Sequence, residues 1–68
     1  MTYYRSKRLL AMAYDPTISP SSAVNKLRDM IINTPGLMEA LLETGYRTHS
    51  RVLTHKQEEI IQNRLGEP

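Results

Sequence analysis

The sequence predicts an all-α protein, a compact bundle of three to four short helices in a single small helical domain over residues 1–68. Three observations carry that expectation. Two helix starts place a capping hydroxyl before proline, Ser19-Pro20 and Thr34-Pro35. Thr54 and Gln57 have the spacing of a capping box, and Gly45 and Gly66 stand where helices should stop. No β-sheet is expected.

A first helix is expected over residues 4–14, with Leu9, Leu10, Ala13 and Tyr14 on one side and Arg5, Lys7, Arg8 and Ala11 elsewhere. Asp15-Pro16 ends it, because proline disfavours helical backbone in the residue before it. The second helix opens at the Ser19 cap, with Ile18 folding back onto Ala23 as a staple, and runs to about Asn33. Ala23, Val24, Leu27, Met30 and Ile31 share its apolar face, and Asn25, Lys26, Asp29 and Asn33 share the other. Ile32 falls on the polar side near Arg28.

Thr34-Pro35-Gly36 predicts a third helix after a sharp bend. At about 100° per residue, Leu37, Met38, Leu41 and Leu42 spread over about 140°, more than one neighbour would cover. That helix should be covered on two sides. Thr44-Gly45 ends it, and residues 46–53, without a clear period, read as a loop. The fourth helix runs from the Thr54 box to Leu65, with Ile60, Ile61 and Leu65 apolar and Glu58-Glu59 as a solvated pair that suits the helix dipole.

A chain of 68 residues buries only about 60% of its unfolded surface, so its margin of stability is small. It has no cysteine, which excludes disulfides and thiolate metal sites, and leaves oligomerisation as the remaining support. With the wide third helix, this predicts a homo-oligomer, a dimer in the simplest case. The apolar run Leu9 to Ala13 is shorter than the roughly 7–15 residues of an export signal, and no segment approaches the roughly 18 of a membrane span. A cytoplasmic chain with no membrane partner is expected.

Enzymatic chemistry finds little to work with. No nucleophile elbow, phosphate-cradling glycine run or dinucleotide fingerprint is present, and the glycines sit at helix boundaries. His49 and His55 are spaced wrongly for a finger or a helical metal pair. The expectation is a non-enzymatic binding or regulatory protein with no catalytic residue, metal or cofactor.

Charge supplies the functional signal. The net +2 hides a +4 segment over residues 1–28, a +3 segment over residues 46–56 and a remainder of −5. In segment 3–8, Tyr3 and Tyr4 interleave with Arg5, Lys7 and Arg8; segment 47–56 carries Arg47, Thr48, His49, Ser50, Arg51 and Lys56. Cations among rings and hydroxyls are the composition that tracks phosphates and contacts bases, so nucleic acid, DNA first, is the expected partner. Specificity would come from Thr48, His49 or Ser50. The plainer alternative packs Tyr3 or Tyr4 on Leu10 or Tyr14 and leaves the cations solvated.

A helix-turn-helix through the Asn33-Thr34-Pro35 junction meets an obstacle, since the third helix offers Leu37, Met38, Glu39 and Glu43 where a reading helix needs Arg, Lys, Asn or Gln. Only a reading helix around Arg47 to Lys56, anchored by Val52 and Leu53, would restore those donors, and it competes with the loop assignment. Two other functions fit the same sequence. One is a protein-protein adaptor or inhibitor docking through the apolar helix 37–42, with Ile32, Met38, Leu41 and Leu42 at the interface. The other is a subunit of a larger assembly.

Overall fold

Four helices follow one another in a computed structural model that describes residues 1–68: α1 (Lys7–Tyr14), α2 (Pro20–Asn33), α3 (Leu37–Leu42) and α4 (His55–Leu65). There is no sheet; the one strand-like pairing is an isolated antiparallel bridge between Ser6 and Val52. α1 packs chiefly on α2, and α3 lies between α2 and α4. The core is Leu10 and Ala11 of α1, Ala23, Leu27 and Ile31 of α2, Leu37 and Leu41 of α3, Tyr46 and Leu53 of the loop, and Ile61 of α4. No helix is long and apolar enough to cross a membrane.

The first helix starts at Lys7 rather than residue 4. Ser6 caps it, accepting the Leu9 N–H at 2.9 Å, and Arg5 before it sits at φ 71°. Left-handed backbone costs a non-glycine residue about 1–2 kcal/mol, so Arg5 must be held there. Glu58 does so with both carboxylate oxygens, accepting the N–H of Tyr4 at 2.8 Å and that of Arg5 at 2.6 Å. Expected on a solvated helix face, Glu58 is instead fully buried at 0% exposure, because a buried carboxylate needs donors and these two amides supply them. The segment before α1 is further strapped by Leu53 N–H to Arg5 O at 2.8 Å, Lys7 N–H to Arg51 O at 3.0 Å and Gln62 Nε2–H to Thr2 O at 2.9 Å.

The inward stripe of α1 is Lys7, Leu10 and Ala11, with Tyr14 half-buried, a spacing of three, four and seven. Leu9 points outward at 56% exposure, against expectation, and Ala11 takes the inner place. The displacement follows from Lys7, whose charge marks it as outward in any hydropathy pattern although its aliphatic stem packs inward.

α2 keeps its expected start and face. Ser19 accepts the Ser22 N–H at 3.3 Å, Pro20 takes the first helical position, and Ile18 is half-buried against the core. Its far end differs. Thr34 closes α2, donating its hydroxyl to Met30 O at 2.7 Å, so it does not cap α3. Gly36, at φ 79°, opens α3 instead, without a side-chain cap. Leu41, expected on an outward docking face, is 0% exposed, and Leu42 is the residue left outside at 54%.

Residues 46–53 form a loop, as expected, so the alternative of a reading helix starting at Arg47 is ruled out and the next helix begins only at His55. The Val52 side chain is 68% exposed and stays out of the core, whereas Leu53 is sealed in it. The α4 box is complete: Thr54 N–H donates to Gln57 Oε1 at 3.0 Å and Gln57 N–H to Thr54 Oγ1 at 3.1 Å.

Candidate functional site

Lysine 7 is where the two basic segments meet. Its side chain is 5% exposed, its Nζ donates to Thr48 O at 2.9 Å, and it lies over the Tyr46 ring at 4.7 Å. Burial, and then the charge of Arg28, hold its pKa below the usual lysine value. One contact thus ties the start of α1 to the loop 47–51. The backbone bond from Lys7 N–H to Arg51 O fastens the other side of the same loop.

Between these strapped elements and α2 lies an open cleft of about 660 Å³. Ser6, Lys7 and Arg8 form one wall, Ser21, Asn25 and Arg28 of α2 a second, and Thr48 to Arg51 the third. Val24 is its one hydrophobic lining residue, and no Asp or Glu reaches it. The ion pairs of the chain lie elsewhere: the N-terminus with Glu67, Lys26 with Asp15 at 2.8 Å, and Lys56 with Glu59 at 3.4 Å. Arg8, Arg28 and Arg51 therefore share a cleft with Lys7 and have no carboxylate partner. Cations gathered without acids repel one another and raise the local potential for an anion.

Six of the residues expected to bind nucleic acid, Lys7, Arg8, Thr48, His49, Ser50 and Arg51, line this cleft together. Arg5, Arg47 and Lys56 do not. The Arg5 guanidinium lies 5.8 Å from the Tyr3 ring centre, and Lys56 is spoken for by Glu59. Arg47 is exposed outside the cleft, its carbonyl accepting the Ser50 N–H at 3.0 Å. The two histidines stand apart, His49 in the cleft and His55 edge-on to Tyr3 at 5.2 Å.

Sequence reasoning missed the α2 wall. Its signal was a polar stripe at positions 21, 25 and 28, one face of a helix at spacings of four and seven. The +4 count over residues 1–28 includes Arg28, but charge read along the chain does not join it to Lys7 and Arg8, twenty residues away.

Nearby, Asp15 closes the end of α1. The Lys26 ammonium, then the Thr17 hydroxyl and N–H, hold its carboxyl down at about 2. Tyr14, the last residue of α1, donates its hydroxyl to Gly66 O, and burial pushes its pKa up to about 12.

The fold and cleft define a small all-helical domain with an acid-free basic cleft built from three separate stretches of chain. The chain belongs to the family described as a domain of unknown function (DUF4248), whose model matches residues 2–68. No curated protein and no solved structure matches it.

Proposed function

We propose that this protein binds nucleic acid through the cleft between α1, α2 and the loop 47–51. The observation that carries this reading is the convergence of Arg8, Arg28 and Arg51, drawn from three stretches of chain around the buried Lys7, with no carboxylate among them. A polyanion neutralises such a group, and each phosphate contact releases counterions. Ser21, Asn25, Thr48 and Ser50 add neutral donors and acceptors to the same walls. The cleft is open and lined mostly by polar and charged residues, which suits a phosphate backbone better than an enclosed small molecule.

The test is a titration of labelled 20-base-pair duplex with the full chain across a series of salt concentrations. Arg28→Ala with Arg51→Ala should weaken binding and flatten the salt slope by about 1.8 units, roughly 0.9 for each lost phosphate contact. Arg47→Ala with Lys56→Ala should flatten it by less than half of that, since neither residue lines the cleft. Absence of affinity for any nucleic acid at low salt rejects the proposal.

A second reading, docking of another protein or of a second copy, is supported by Ile32 at 57% and Leu42 at 54% exposure. Met38 is half-buried against the core and Leu41 lies inside it, so the apolar surface is narrower than the pattern of α3 implies.

A further inference from the structure

Resting on the nucleic-acid reading, a narrower partner follows from the walls of the cleft. We infer that the ligand is duplex DNA, with α2 carried into the major groove so that Ser21 and Asn25 reach base edges while Arg8, Arg28 and Arg51 hold the adjoining phosphates.

Three observations favour a duplex read by α2. First, α2 offers the donors that α3 lacks. Its first turn has no acid, Ser21, Ser22 and Asn25 are exposed, and Asn is the side chain suited to bidentate contact with adenine in the major groove. Second, α2 is rigidly seated: Ala23, Leu27 and Ile31 lie in the core, so its outward face is presented in a fixed orientation. Asp29, the one acid of α2, stands outside the cleft a turn beyond Asn25, and Lys26 is held by Asp15.

Third, the cleft has no Tyr, Phe or Trp ring on which successive unpaired bases could stack, and His49 supplies its single imidazole. The chain has four tyrosines and no Phe or Trp. Tyr46 is buried beneath Lys7, Tyr3 packs on His55, and Tyr4 and Tyr14 lie half-buried against the core. Single-strand binders rely on such platforms. Duplex RNA is disfavoured on other grounds, because its deep, narrow major groove does not admit a helix.

Full-length protein is used to select from a random-sequence DNA duplex library, and binding of a selected duplex, its separated strands and the RNA duplex of the same sequence is then measured at one salt concentration. An enriched motif is expected, with the strands and the RNA duplex binding more weakly than the DNA duplex. Asn25→Ala, an exposed change that favours helix, should weaken the selected duplex about tenfold, relax one position of the motif and leave the salt slope unchanged. If wild-type protein binds with a normal salt slope but enriches no motif, binds single strands equally well, or keeps its motif after Asn25→Ala, the assignment of α2 is overturned and the phosphate-binding cleft stands. Loss of all affinity at low salt overturns both.

Discussion

The Glu58 carboxylate grips the backbone N–H of Arg5 at 2.6 Å, across 53 residues of sequence, and its second oxygen takes the N–H of Tyr4. This pairing holds Arg5 in left-handed backbone and turns the chain into α1, so the first wall of the cleft depends on a side chain of α4. Glu58→Gln keeps the shape but replaces one acceptor with an amide that faces a backbone donor. It should destabilise the fold by roughly 1–3 kcal/mol, read as a lower urea midpoint with unchanged slope. An unchanged midpoint would show that the strap contributes nothing to stability.

Lysine 7 is expected to act as a fastener rather than as a phosphate contact. Lys7→Ala removes the donor to Thr48 O and the cation over Tyr46, at a cost of roughly 1–3 kcal/mol. Amide exchange at Ser50, whose N–H closes the loop onto Arg47 O, should accelerate. The salt slope of duplex binding should keep its wild-type value; a fall of about one unit would make Lys7 a phosphate ligand instead.

Acid stability should depend measurably on Asp15. Its carboxyl lies at about 2 in the folded protein against an ordinary 3.8, chiefly through the Lys26 hydrogen bond. A depressed carboxyl pKa adds stability above its unfolded value, and that stability is lost as pH falls through the folded one. Between pH 4 and pH 2 the wild type should therefore lose more stability than Asp15→Asn, as followed by urea denaturation at each pH. Parallel curves for the two proteins would remove Asp15 from the acid response.

The exposed apolar residues give a test of self-association. If copies pair through the α2–α3 surface, Ile32→Ser with Leu42→Ser should yield a folded protein that sediments as a monomer where the wild type does not. Leu41→Ala should behave differently, destabilising the fold by about 2–5 kcal/mol, because Leu41 is in the core. A wild type that is monomeric at high micromolar concentration ends the pairing idea.

The sequence by itself determined the helical class, the seat of α2 and the ends of α4, because those signals are local. The capping bonds of Ser19 to Ser22 and of Thr54 to Gln57 span three residues, and the stripe of Ala23, Leu27 and Ile31 repeats with the helix. The loop at 46–53 was legible for the same reason. Half of the candidate site was also visible, as basic segments in the chain. Tertiary structure alone decided that Lys7, Arg8 and Arg51 meet Arg28 around one cleft while Arg5, Arg47 and Lys56 stay outside it. It also decided that Glu58 is buried, that Thr34 closes α2, and that Leu9 and Ala11 exchange the places their pattern assigns. Hydropathy treats a charge as solvent-facing, but a buried charge is stabilised by partners far along the chain: Thr48 O for Lys7, the amides of Tyr4 and Arg5 for Glu58. Those partners become neighbours only when the chain has folded.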